Sequence, residues 1–265
     1  MRLAVRVAVA LAAAGAFAFL LLPVVALFLR TAPGTLVAQL GSDAAVDALL
    51  VSLKVSVIAH VLILGLGTPA AYVLATRRFR GRALLMTAVE LPLVLPPAVA
   101  GIALLSAFGR NGLLSTSVAL TQTAVVLAIA FVAGPFYLRG AVAAFAGVDR
   151  TLVEAARTLG AGPLRAFATV VVPVAAGGLG AASSLAFARG LGEFGATIIF
   201  AGSLPGETQT LPLAIYAQLG RDLDTAVAIG ALLVVVSAAI LLAVKLIAPW
   251  TRSRLDSPTL SAASG

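Results

Sequence analysis

Charged residues are sparse along this chain, so the uncharged stretches between them define its elements. Val7–Leu29 lies between Arg6 and Arg30, and Val55–Thr76 lies between Lys54 and Arg77. Ala83–Gly109 is interrupted only by Glu90, and Asn111–Leu138 runs uncharged up to Arg139. A fifth run begins near Ala166 and meets its first charge at Arg189, and a sixth covers Thr225–Val244. Crossing a hydrocarbon layer roughly 30 Å thick takes about 20 apolar residues at 1.5 Å of helical rise each. Each run meets that length. The predicted spans are 7–29, 55–76, 83–107, 113–138, 170–200 and 225–248, in one transmembrane domain over residues 1–265. Lys245 is expected to snorkel at the end of the last span with Trp250 at the interface, and Leu255–Gly265 to form a frayed tail. The first run follows Arg2 and Arg6 as a signal peptide would. Its 23 apolar residues exceed the usual h-region of about 7–15, which favours a retained helix.

Composition agrees with this reading. Hydrophobic residues make up 61% of the chain and charged ones 11%, with a mean hydropathy of +1.12. A soluble domain carries about 45–50% apolar and about 25% charged residues. The fold class is therefore an all-α integral membrane protein with six transmembrane helices. The absence of cysteine removes disulfides and thiolate metal sites, and a single histidine, His60, leaves no multi-histidine centre. No metal site and no catalytic nucleophile–base constellation is predicted, so a membrane enzyme is disfavoured.

Lys and Arg number 18 against 10 Asp and Glu, a net charge of +8. In a lipid-embedded chain that excess marks loops on the cytoplasmic side, not a nucleic-acid surface. With the N-terminus inside, the inner loops hold Arg2, Arg6, Arg77, Arg78, Arg80, Arg82, Arg139, Arg150, Arg157, Arg165, Arg252 and Arg254. The outer loops hold Arg30, Arg110 and Arg221. This asymmetry predicts both termini in the cytoplasm. No internal repeat is evident, which weakens an inverted-repeat secondary transporter.

The inner loop 149–168 reads as two short helices with a sharp turn. Thr151 and Glu154 have capping-box spacing, and Glu154 lies near the positive end of the first helix's dipole. Ala155 and Ala156 favour helix, Gly160 suits a left-handed terminus, and Gly162-Pro163 restarts a helix. An ordinary amphipathic connector would show the same features. The spacing is more particular: Glu154-Ala155-Ala156, three residues, Gly160, nine residues, Val170, one residue, Val172-Pro173. This resembles the EAA loop of ABC importer permeases, departing only in Val170 for Ile and Val172 for Leu. The resemblance implies a type I importer bundle whose loop docks on a separate ATP-hydrolysing subunit. It assigns the docking to Glu154, Ala155, Ala156, Arg157, Gly160, Pro163 and Arg165. The chain has no GxxxxGK[ST] phosphate loop, so ATP and Mg are expected on two copies of a partner ATPase and no cofactor in this chain.

The run Leu185–Tyr216, with Phe79-Arg80-Gly81-Arg82 and Leu91–Gly101, is similar to the permease subunits of molybdate and sulfate importers, and Glu207–Tyr216 looks more like the molybdate branch. The resemblance implies the permease of an ATP-driven oxyanion importer in a bacterial or archaeal cell membrane, carrying molybdate or tungstate. It further implies a homodimer, a periplasmic or lipid-anchored binding protein that delivers the oxyanion, and no nucleic-acid partner. A sulfate/thiosulfate permease is the alternative within the class, and an ion-coupled secondary transporter the alternative outside it.

Arg189 and Glu193 stand four apart and would share a helical face if the helix continued. Two readings stand: an ion pair that fastens helices, or a gate in which Arg189, Glu193, Ser183, Ser184 and Thr197 line the path. Lys54 is expected to snorkel, and lone His60 to hydrogen-bond between helices. Pro92, Pro96 and Pro97 are expected to kink the third span, with Glu90 placed for helix-end packing or a hinge.

Overall fold

A computed structural model describes residues 2–253 apart from Ser117, with side chains described for 5–243. The expectations for Lys245, Trp250, the 255–265 tail and the side chains of Arg2, Arg252 and Arg254 lie outside what is described. In chain order the helices are α1 Arg2–Arg30, α2 Pro33–Leu40, α3 Asp43–Thr76, α4 Arg82–Val94, α5 Pro97–Phe108, α6 Gln122–Ala146, α7 Arg150–Thr158, α8 Pro163–Ala166, α9 Val172–Leu191, α10 Gly195–Phe200, α11 Leu211–Gln218 and α12 Leu223–Ser253. A π-helical turn, Phe167–Val171, joins α8 to α9. Among the described residues no strand occurs. Among the described residues five helices are long and apolar enough to cross a membrane, or six if the bent pair α4–α5 is one span.

The third, fourth and fifth predicted spans are broken or shifted for local reasons, and the second is lengthened. The third is not one kinked helix over 83–107 but two helices at 117°. Consecutive Pro96 and Pro97 push Leu95 and Pro96 into extended geometry, with ψ of 133° and 138°. The fourth starts at Gln122, not 113, and runs through Arg139 to Ala146. Residues 111–121, Ser117 aside, form an uncharged loop with positive φ at Ser115 and Leu120, and the Thr121 hydroxyl caps α6 by accepting from Ala124 N. Absence of charge marked that loop as membrane-compatible without making it helical. The fifth is a 29-residue helical run, Pro163–Leu191, broken at Gly192 and resumed as α10, not an unbroken 170–200. The π turn falls just before Pro173, which has no N–H and would clash with the carbonyl of Thr169 in a regular helix. The second span extends back to Asp43, so Lys54 lies within α3, with its side chain exposed.

The bundle is organised on the pair α3–α6. At one end Val51, Val55 and Ala59 of α3 pack with Ala124–Val132 of α6, and α5 and α10 close this core. At the other end Ile63, Ala71 and Leu74 pack with Tyr137, Ala141 and Phe145, and α9 closes it. The α6–α9 seam depends on small residues at matched spacing. A Cβ on Gly140 would lie 2.5 Å from the Ala182 Cβ, and one on Gly178 would lie 2.6 Å from the Ala144 Cβ. Gly140-x-x-x-Ala144 and Gly178-x-x-x-Ala182 thus face each other in antiparallel register, the small-residue packing by which helices associate closely in lipid. α1 is exposed from Val5 to Ala26 and packs mainly on α12.

A third cluster fastens α11 and α12 to the start of α3. Its polar fixing point is the buried Ser52 hydroxyl, which accepts the Leu211 N–H at 2.7 Å and so caps α11 from a different helix. Ser52→Ala should cost about 1–3 kcal/mol, because a buried amide donor loses its acceptor. A lowered thermal midpoint with faster amide exchange at Leu211 is the expected result, and unchanged exchange there would refute the cap.

Candidate functional site

The loop between α6 and α9 carries the most specific sequence signal, and its geometry is fully determined. α7 begins at Arg150, and its cap is the Asp149 carboxylate, which accepts from Thr151 N at 2.9 Å. The expected Thr151–Glu154 capping box does not form. The helix starts too early for it, and Glu154 falls beyond the first turn. That backbone bond from Thr151 holds the Asp149 carboxyl below its ordinary pKa, so the cap is intact at neutral pH and is lost only as acid titrates the carboxylate.

α7 ends in a Schellman motif. Gly160 N donates to Arg157 O and Ala161 N to Ala156 O, both at 3.0 Å, with Gly160 at φ +86°. Gly162 then caps α8, whose first residue is Pro163. Glu154, Ala155, Arg157, Gly160, Pro163 and Arg165 are exposed and Ala156 is half-buried, so all seven docking candidates lie on one short helical hairpin. Two residues that the sequence reading passed over stand beside them: Leu159 is 89% exposed and Leu164 80%. The signal was available, since both leucines sit in a charged segment too short to span.

Behind the hairpin lies a cavity of about 510 Å³ between α7 and the ends of α3 and α6. Arg77, Arg78, Arg82, Arg150, Arg157 and Glu154 contribute to its wall, with Tyr72, Phe145, Val148, Val153 and Val171. Arg82 Nε donates to Leu74 O at 2.7 Å, satisfying a carbonyl at the end of α3. Tyr72 meets Phe145 and Phe167 edge-to-face, and those two phenylalanines are tilted against each other, with centroids 4.7 to 6.0 Å apart. This cluster ties the return segment of the loop to α3 and α6.

The five path candidates are not gathered into one site. Ser183 Oγ meets His60 Nε2 at 2.8 Å between α9 and α3, and Phe187 stands edge-on to the imidazole. Ser184 turns back onto its own helix and donates to Gly180 O. Arg189 and Glu193 form an ion pair of 2.8 Å, with Glu193 1% exposed and Arg189 32%. The pair survives the helix break because Glu193 Oε1 also accepts from Ala196 N at 2.8 Å, fixing the start of α10. Thr197 is fully buried and its hydroxyl has no partner. The void beside His60 is walled by Ser56, Ile63, Ile129, Ala186, Phe187 and Gly190 and has no room for water. Glu90 meets Arg139 at a loose 3.8 Å with both side chains exposed, a contact worth about 0–1 kcal/mol.

A helical bundle with membrane-length spans and a polar hairpin projecting from one end suits a transport permease. The chain belongs to the family of binding-protein-dependent transport system inner membrane components, whose model matches residues 63–253. The molybdenum transport system permease protein ModB of Mycobacterium tuberculosis is 46% identical over 236 residues, covering 85% of this chain and 88% of its own length. ModB of Escherichia coli K12 is 43% identical over 181 residues, 65% of this chain and 79% of its own. A probable molybdenum ABC transporter permease protein of Haloferax volcanii is 37% identical, covering 88% of this chain and 87% of its own. Among solved structures, a bacterial ABC transporter involved in the import of the acidic polysaccharide alginate aligns with a TM-score of 0.75 at 17% identity. The alignment covers 94% of this chain and 96% of that one. The inward-facing MetNI methionine ABC transporter aligns at 0.64 and 20% identity, covering 78% of this chain and 95% of that one. The fold is that of a type I ABC importer permease.

Proposed function

We propose that this chain is the permease subunit of an ATP-driven importer of molybdate, with tungstate as a second tetrahedral dianion that the same path accepts. The observation that carries the proposal is the α7 hairpin. Its Schellman turn at Gly160 fixes the angle between α7 and α8, and Leu159 and Leu164 leave apolar surface bare in a segment too polar for lipid. Such a surface fits a protein partner, and a partner ATPase supplies ATP and Mg, two copies serving a permease homodimer. An external binding protein delivers the oxyanion to the opposite face, both termini being cytoplasmic. Support for the cargo comes from the molybdenum permeases of three distant organisms that align over most of the chain.

The helical run Pro163–Leu191 gives the mechanism its lever. It starts at the hairpin and ends beside the Arg189–Glu193 pair, roughly 44 Å away at 1.5 Å per residue. A displacement of α7 reaches the helix break at Gly192 along one element, with the Tyr72–Phe145–Phe167 cluster as its bearing. Arg189 is engaged by Glu193, so it offers a passing dianion no free cation, which suits a path that must release its cargo. Ser183, Ser184 and Thr197 complete the stretch of α9 and α10 along which the gate opens.

Proteoliposomes that contain the permease, its ATPase and ATP–Mg should accumulate molybdate once the binding protein is added, and should not when the ATPase is omitted. Uptake by the permease alone would overturn the ATP-driven reading. Preference for sulfate over molybdate would overturn the cargo.

A further inference from the structure

The cavity under α7 is lined by five arginines and one carboxylate. Among the described residues the ion pairs are Arg139–Glu90 and Arg189–Glu193, so no carboxylate pairs with any of the five. Arg82 commits one N–H to Leu74 O, while no side-chain hydrogen bond is found for Arg77, Arg78, Arg150 or Arg157. Guanidinium groups match phosphate oxygens two at a time, and four of them here have no internal partner. Apart from Thr76, the remaining wall is built of apolar and aromatic residues, chiefly Tyr72, Phe145, Val148, Val153 and Val171. The cavity lies where α3 ends at Thr76 and α6 at Ala146, the depth at which a spanning bundle leaves the hydrocarbon.

We propose that this cavity seats the headgroup of an anionic phospholipid, its phosphate on the arginines and its glycerol and first acyl carbons on the Tyr72–Phe145–Val171 wall. A volume of about 510 Å³ is within the range of small-molecule sites, roughly 300–1,000 Å³. A free phosphate would satisfy the arginines and leave the apolar wall bare, whereas a phospholipid covers both. Basic pockets between spans at the cytoplasmic side take such headgroups, so the proposal rests on the orientation inferred above. The bound phosphate would link Arg77 and Arg78, which precede α4, to Arg150 and Arg157 on α7. The hairpin's resting position would then depend on an inner-leaflet lipid.

The test is native mass spectrometry of the full-length chain released from nanodiscs of mixed phosphatidylglycerol and phosphatidylcholine. It needs neither ATPase nor transport, so its failure and the failure of the importer reading are separable. Phosphatidylglycerol should be retained over phosphatidylcholine, and Arg77→Gln/Arg78→Gln should reduce that retention by about tenfold or more, the scale of removing two arginines from an anionic headgroup. Arg77→Lys/Arg78→Lys, which keeps the charge and the fold but loses the fork, should retain an intermediate amount. Arg139→Gln, which removes an arginine outside the cavity, should retain as much as the parent chain. Equal loss in Arg139→Gln, no preference between the lipids, or displacement of the lipid by inorganic phosphate alone would each overturn the proposal.

Discussion

Gly160→Val should insert and fold in the membrane yet lower ATP-driven transport by about an order of magnitude. Beyond its chain neighbours, nothing lies within 4 Å of a Cβ built on Gly160, so a side chain there enters open space. The cost is conformational. At φ +86° an L-residue pays about 1–2 kcal/mol, a shift of roughly 5–30-fold between alternative hairpin conformations, and a β-branched residue lies at the upper end. Relief by moving to negative φ breaks the Gly160–Arg157 and Ala161–Ala156 bonds and re-aims Gly162-Pro163, and with it α8. Gly160→Asn should retain most of the transport, because asparagine tolerates the left-handed region. The discriminating measurement is ATP-driven uptake at matched expression, with ATPase co-purification in parallel. Parent-level transport by the valine variant would remove the hairpin from the coupling mechanism.

The contrast between this loop and the spans explains what a sequence reader sees. The hairpin is legible because each turn is set by local chemistry: glycine at positive φ, proline at the first helical position, small residues between. Its cap was misjudged by two positions because Asp149 and Thr151 both suit an N-cap, and only the helix's true start chooses between them. The spans were found as uncharged length, a property that α6 shares with the loop before it, so their bounds shifted wherever turn geometry overrode absence of charge. The 117° turn at Pro96 was foreshadowed by the Pro-Pro pair, but its size depends on α5 packing against α10, where a Cβ on Gly101 would lie 2.8 Å from Ile199. That contact is tertiary. The same is true of Ser52 capping α11 across 159 positions, which no local pattern announces. The cavity escaped for a similar reason: the arginines before α4 and those on α7 are far apart in sequence and meet only when α3 and α6 end side by side.

The Arg189–Glu193 pair can be assigned between its two readings by what happens when both charges go. Glu193→Ala should be the most destabilising single change along α9 and α10. It strands Arg189 at membrane depth and takes the acceptor from Ala196 N–H. Breaking a buried pair by removing one partner costs about 3–5 kcal/mol. Arg189 is 32% exposed, so the water it can reach lowers the expected loss to about 3 kcal/mol. Glu193→Gln keeps an oxygen for Ala196 N–H and a polar partner for Arg189, and should lose less than half as much. Arg189→Leu/Glu193→Leu should return the part of the lost thermal stability that comes from the stranded guanidinium, because matched apolar replacement of a buried pair is often neutral, while Ala196 N–H stays without its acceptor. Transport by that double variant then separates the readings. If uptake returns with stability, the pair fastens α10 to α9 and does no more. If stability returns while uptake stays low, the two charges act in the path itself, and the break at Gly192 is where the lever from α7 delivers its motion.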